Sequence, residues 1–415
     1  MDIVATVRTR ARAILAGMPA EGGWPGGADP TPVLVLPAVG PGRGDLVVNP
    51  GHLWGGTAST AGRAVASRLA EALADLPEVG AAEVAGPGLV NVTLSPQGLT
   101  ASLAACLGMG GDFGRGARAA PVAIGLAPGR DGDRVGLGRA RAAVVADALA
   151  RILAVAGHAV VMAPVPRAPA DLDRIGAGAQ VGAGLPHGWP GGDPAILVHE
   201  AEQGAPRLPW ALASAERVAV APCRLSLPGL TFGQGDALLG DALDRADGPS
   251  LCFAMLARAP RQALDLDPRT AADASHAGPV FDVRYAHARA RGILRQAAAA
   301  MPDLDLAPAA LAQVPLLGLS HAGERALLRG VALYPDRIAA AAALRDPSRL
   351  VVFLAELARA VHGQWKASKD QPQLRFVNEE QRDLTKARLG LVTAAALVLH
   401  SGLGVLGVSA PDEMR

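Results

Sequence analysis

Val122-Ala123-Ile124-Gly125-Leu126 opens the stretch that decides the fold; a glycine-rich loop follows, then Arg141 to Ala156, then Gly157 and Ala159-Val160-Val161-Met162. The first run is continuously apolar, as a strand covered on both faces must be. In the second, Val145, Leu149, Ile152 and Leu153 recur on one helical face, and Gly157 supplies a stop. The last run reads as a second strand. Strand, loop, helix, strand is the opening of a parallel α/β unit.

The segments on either side have other rhythms. Upstream, Ile3, Val7, Ala11 and Ile14 recur at helical spacing, Val33 to Leu36 reads as a short strand, and Val65, Leu69, Leu73 and Leu76 stripe a second helix. Ala81 to Ala85, the turn Gly86-Pro87-Gly88 and Leu89 to Leu94 form a hairpin pattern, with Val90, Val92 and Leu94 on one face. From Ala163 to Pro209 the pattern falls into Gly, Pro and Ala with few apolar runs, too little for a full doubly wound sheet. From Pro279 onward the reading is all helix. Val283, His287, Ala290 and Leu294 line the first helix, Leu350, Phe353, Leu354, Leu357 and Val361 another, and Leu384, Leu391, Ala395 and Leu399 the last. Gln364 to Lys386 is polar and reads as an extended loop. The expected fold is α/β plus all-α: a small α+β domain over residues 1–115, a truncated Rossmann-like α/β remnant over 116–275, and a helical bundle over 276–415.

Bulk properties bound the function. The 415 residues are half hydrophobic but only 3% aromatic, so the cores are built from Ala, Val and Leu. Net charge is +1, yet from Pro279 onward 17 Lys/Arg face 13 Asp/Glu, a balance of +4. That is a modest basic bias, placed on the helical part. Cys106, Cys223 and Cys252 are odd in number and far apart, which excludes a disulfide framework or a zinc knuckle and fits a reducing cytoplasm. Met1-Asp2-Ile3-Val4 does not open a signal peptide, and no long apolar run is evident, so no membrane span is expected.

Four strings carry a family resemblance. They are Gly44-Asp45-Leu46-Val47-Val48-Asn49, Ala85-Gly86-Pro87-Gly88-Leu89-Val90-Asn91-Val92, Gly278-Pro279-Val280-Phe281-Asp282-Val283-Arg284-Tyr285-Ala286-His287-Ala288-Arg289, and Leu406-Gly407-Val408-Ser409-Ala410-Pro411-Asp412-Glu413-Met414. In order and content they resemble the N-terminal domain and the C-terminal DALR-type anticodon-binding domain of the arginyl-tRNA synthetases, class I enzymes. The resemblance covers both flanks, about half the chain. Leu264-Asp265-Leu266-Asp267 is similar to the stretch that leads into that family's anticodon-binding helices.

The centre departs from the pattern. The helix from Arg141 resembles the one after the family's ATP-binding signature, which places Gly136 and Arg139 where two signature histidines stand. Those imidazoles stabilise charge that builds up during adenylate formation. Glycine has no such group, and the fork of arginine is no substitute for imidazole. The second signature loop corresponds to Cys223 through Gln234, which has no lysine; Lys366, Lys369 and Lys386 are the only lysines of the chain. No catalytic residue, metal or cofactor is therefore expected, and ATP would enter only with surviving adenylation.

What the resemblance keeps is an RNA-binding face. Arg284, Arg291 and Arg295 recur at i, i+7 and i+11, flanked by Tyr285 and Arg289. Arginines would contact phosphates, and Tyr285 or Trp365 would stack on an unpaired base; Lys366 and Lys369 complete the candidate set. For one helix taken alone a solvated polar face is the better reading, and it is the family resemblance that favours an RNA-facing stripe. Three functions remain open: a non-catalytic binder of tRNA-Arg or a tRNA-like RNA, an arginine–tRNA ligase with residual activity, and an interaction partner of the full-length synthetase.

Other signals have plainer readings. Gly136-Leu137-Gly138 lacks the third glycine of a dinucleotide fingerprint, because Arg141 stands there. Gly176 to Gln180 has no P-loop Lys-Ser/Thr and reads as linker. Gly318-Leu319-Ser320-His321-Ala322 misses the second glycine of a nucleophile elbow, and Ser320 reads as a helix cap with Glu324 following. His199-Glu200 lacks the second histidine of a zinc helix. His287 reads as a satisfied core histidine.

Overall fold

The computed structural model describes residues 2–18, 33–38, 44–50, 60–86, 88–127, 135–162, 170–175, 195–201, 215–226, 238–273, 278–314 and 318–414. They fall into two compact units: one of Met1–Gly110, Asp305–Asp336 and Val377–Ala394, the other of Gly111–Leu304, Arg337–Phe376 and Ala395–Arg415. These units are drawn by packing, and each draws on separate stretches of the chain.

In the first unit the order is α1 (Ile3–Ala16), β1 (Leu34–Pro37), β2 (Leu46–Asn49), α2 (Thr60–Ala74), β3 (Val79–Ala85), β4 (Leu89–Leu94) and α3 (Pro96–Met109). The strands form one antiparallel sheet in the order β1-β2-β4-β3. Val90, Val92 and Leu94 are buried in alternation, as period-two patterning requires. On α1 the buried residues are Ile3, Val4, Val7, Ala11 and Leu15, so Leu15 rather than Ile14 completes the stripe. Ser95 caps α3 by accepting from Gly98 N at 2.9 Å, with Pro96 in the first turn. Asp45, from the first family-like string, is buried and accepts from Leu94 N at 2.8 Å.

The second unit opens with β5 (Ala119–Leu126), α4 (Leu137–Val155), β6 (His158–Met162), α5 (Ala170–Arg174), β7 (Ala195–Glu200) and β8 (Glu216–Val220). The four strands are parallel, in the order β6-β5-β7-β8. β7 lies within the stretch that composition marks as patternless. Ile196, Leu197 and Val198 are buried there and make it a central strand. Gly157 holds φ +101, and a Cβ there would stand 1.9 Å from Ala117 O, so only glycine closes the turn from α4 into β6. The unit continues with β9 (Cys223–Leu225), α6 (Leu239–Leu243), α7 (Gly248–Leu256), β10 (Leu264–Leu266) and α8 (Pro268–Ala271); β9 and β10 pair in parallel.

The remaining elements are helices: α9 (Pro279–Ala300), α10 (Pro308–Leu311), α11 (Ala322–Leu344), α12 (Ser348–Asp370) and α13 (Arg382–Val405). On α9, Val283, His287 and Ala290 are buried as expected, but Ile293 takes the place of Leu294. All five expected residues of α12 are buried. The polar stretch from Gln364 is helical as far as Asp370, which corrects the expected extended loop. The cap of α11 is His321 rather than Ser320: Gly323 N donates to its Nδ1 at 3.2 Å, and its own N–H donates to Glu324 Oε2 at 3.0 Å, a capping box with histidine in the first position. Among the described residues α13 has the length and composition of a membrane-crossing helix, a feature missed in the sequence. However, 78% of its apolar window is buried in the protein, as in a core helix.

Candidate RNA-binding face and the expected signature positions

α9 packs on α12 and α7 within the second unit, and the α9–α12 contact brings four of the expected residues together. Tyr285 and Arg289 lie one turn apart on α9, and Trp365 and Lys369 one turn apart on α12. The Arg289 guanidinium sits 4.4 Å from the Tyr285 ring centroid and 3.8 Å from that of Trp365. Lys369 Nζ is 3.6 Å from the Trp365 centroid, and Phe281 stacks on Tyr285 at 5.4 Å. From Tyr285 through Arg289 and Trp365 to Lys369, rings and cations thus alternate along one column, each cation–ring contact favoured by the ring quadrupole.

His362 fixes the guanidinium. Arg289 Nη1 donates to His362 Nδ1 at 2.7 Å, since arginine has no acceptor. His362 Nε2 therefore carries the proton and donates to Asp282 O at 3.1 Å. A cleft of ≈ 470 Å³ opens beside the column, lined among others by Tyr285, Arg289, Arg295, Gln296, Trp365 and Met414.

The other expected residues are placed differently. Arg284, Arg291 and Arg295 share a face of α9, but each meets the segment after α13. Arg284 donates to Ser409 Oγ at 3.3 Å, Arg291 to both Asp412 carboxylate oxygens at 3.2 and 3.4 Å, and Arg295 to Asp412 O at 3.1 Å. Lys366 is exposed on α12 and outside the cleft lining. His287 is buried, as read from the sequence, and its Nδ1 donates to Pro411 O at 2.9 Å. Phe281, His362 and Gln296 were missed. Phe281 and His362 stand one turn from Tyr285 and from Lys366, a spacing that pairs side chains along a helix.

The signature positions lie elsewhere in the same unit, at the carboxyl ends of β5 and β7. In sheets of this kind that is where the strand order reverses and ligands bind. Gly136 precedes α4 with no side-chain cap bond. Arg139 donates to Ala127 O, and burial pulls its guanidinium below the ordinary value while Glu200 acts in the opposite direction. The Glu200 carboxylate lies close to Gly138, 3.3 Å from where a Cβ would stand. Arg141, on α4, is a fully buried clamp. Its guanidinium donates to the carbonyls of Ala221, Met255, Arg258, Ala259 and Gln262 at 2.7–3.2 Å. Of the second signature loop, Cys223 to Leu225 form β9; residues 227–234, like the Gly176–Gln180 cluster, lie outside the described residues.

Residues 283–414 match the family model described as the DALR anticodon binding domain. This region is a DALR domain. The chain is 45% identical over 177 residues to a protein of Rhizobium rhizogenes and 47% identical over 177 residues to one of Methylobacterium, each named arginine–tRNA ligase. Each match covers 43% of this chain and 30% of the relative. The chain thus matches less than a third of the length of the arginine–tRNA ligases it is similar to. Its fold is that of the arginyl-tRNA synthetase of Thermus thermophilus, with a TM-score of 0.70 at 16% identity over 99% of this chain and 100% of the other. The enzyme from Plasmodium falciparum gives 0.71 at 8% identity over 100% and 99%. The column, the cleft and the arginine stripe of α9 all lie within the DALR domain.

Proposed function

We propose that this chain is a tRNA-binding protein with a shortened catalytic part, and that it does not activate arginine. The observation that carries binding is the column of Tyr285, Arg289, Trp365 and Lys369 inside the DALR domain. Unpaired bases are read by stacking on aromatic rings and guanidinium planes and through their edges. Here the rings already hold cations, so an arriving base takes the place of Lys369 or slides against Arg289. The displaced cation remains beside the nucleotide's own phosphate. Arg295 and Gln296 line the cleft and supply hydrogen-bonding groups for a base edge. The expected RNA is tRNA-Arg, the substrate implied by the relatives' names, and the expected compartment is the reducing cytoplasm.

The inactive half of the reading rests on the signature site. Gly136 offers no side chain, Arg139 is tied to a carbonyl, and Glu200 sets a carboxylate against the first turn of α4, the end of a helix that otherwise favours phosphate. No lysine precedes Lys366. Capture from total cellular RNA by the immobilised full chain, followed by sequencing, tests the binding half. Enrichment of tRNA, with tRNA-Arg foremost, is expected; recovery no higher than on bare resin overturns it.

A further inference from the structure

The stripe that would grip phosphates is already occupied by the protein itself. Arg284, His287, Arg291 and Arg295 stand at i, i+3, i+7 and i+11 of α9, one continuous face. The segment Ser409 to Glu413 runs along all four. Ser409 meets Arg284, Pro411 O accepts from His287, Asp412 takes both prongs of Arg291, and the Asp412 carbonyl accepts from Arg295. Glu413 Oε1 adds a contact at 3.5 Å to Arg295 Nη2. The fit is charge to charge, and its carboxylates stand where phosphate oxygens would.

The ionic contacts are also easily exchanged. Arg291 and Asp412 are 43% and 58% exposed, and Arg295 and Glu413 are 50% and 68% exposed. Ion pairs this open to water hold little net energy and weaken with salt. The bond from the buried His287 to the Pro411 carbonyl, by contrast, keeps the segment beside the stripe after the ion pairs open.

We infer that Ser409–Glu413 is an acidic strap that competes with RNA phosphates for Arg291 and Arg295, and so sets the affinity and salt response of this face. This rests on the RNA-binding reading above. The strap discriminates: an RNA that supplies base contacts at the column displaces it, whereas a polyanion that offers charge alone must first break two ion pairs.

The test compares the full chain with the double variant Asp412→Asn/Glu413→Gln, using total tRNA as probe. Each arginine released gains one phosphate contact, worth about 0.7–0.9 in the slope of log K against log salt. The slope should therefore steepen by about 1.4–1.8, with affinity roughly tenfold tighter at ~50 mM salt and nearly equal at ~200 mM. Adding Arg291→Gln/Arg295→Gln to the variant should abolish the gain. Amide exchange at residues 409–413 of the unaltered chain should speed up when tRNA is added. Equal binding by chain and variant, or slower exchange at the segment on tRNA addition, overturns the strap and leaves RNA binding standing. If neither protein binds tRNA, the RNA-binding reading fails and the strap fails with it.

Discussion

Arg141 shows how much a single residue can decide. A buried guanidinium normally needs a carboxylate, but this one is satisfied by five carbonyls. It gathers the turn around Ala257–Gln262 and the end of β8 onto α4. Arg141→Leu fills similar space but leaves those carbonyls without a donor, at about 1–3 kcal/mol for each one left dry. A loss of at least ~3 kcal/mol in denaturant unfolding is expected, net of water that reaches the edge of the site. Asp147, on the same helix, answers to pH. Burial pushes its carboxyl from 3.8 up to about 6, against the pull of Arg151, whose Nη1 lies 2.5 Å away. The folded chain thus holds this proton more tightly than the unfolded chain. Its stabilisation is complete below the ordinary carboxylate range and is lost as pH rises through 6. Two units correspond to about 3 kcal/mol, so stability should fall by up to that amount between pH ~4 and ~7. Asp147→Asn should flatten the decline in urea melts run across that range. An unchanged slope would show that the carboxyl titrates normally.

At the scale of elements, periodicity located the helices but not every residue on their faces. The five apolar positions of α12 were legible because large apolar residues recur there at i, i+3, i+4, i+7 and i+11. On α9, Ile293 and Leu294 are adjacent, and a period of 3.6 does not choose between them. β7 escaped notice because a central strand needs only three apolar residues when helices cover both faces. The last turns of α12 read as loop in the sequence because an exposed helical surface and a loop share a composition. The column was half visible: Tyr285, Arg289, Trp365 and Lys369 were named from sequence, but their contact was not, because 80 residues separate Tyr285 from Trp365. The strap was hidden for the same reason, with Arg291 and Asp412 121 residues apart. Stacking and charge make separable contributions on this face. Trp365→Ala should weaken tRNA binding by ~1–3 kcal/mol with little change in salt slope. Lys366→Ala and Lys369→Ala should each flatten the slope by about 0.7–0.9. If Trp365→Ala changes the slope and not the affinity, the ring serves only to hold its cations.

At the scale of the whole molecule, the flanks and the centre tell different stories. The region that matches the DALR model carries the cation–ring column and the cleft beside it. The α/β sheet is parallel with a reversal of strand order between β5 and β7, and among the described residues Gly136, the tethered Arg139 and the Glu200 carboxylate stand at that point. Transition-state donors of the signature kind are worth ~2.7–4 kcal/mol each, and the proposed reading has several of them absent together. The central claim is that this chain binds tRNA without activating arginine. ATP–pyrophosphate exchange with arginine, run at tRNA concentrations that saturate binding, tests it most directly. The account predicts exchange at the level of the protein-free blank, and arginine-dependent exchange above that blank would contradict it.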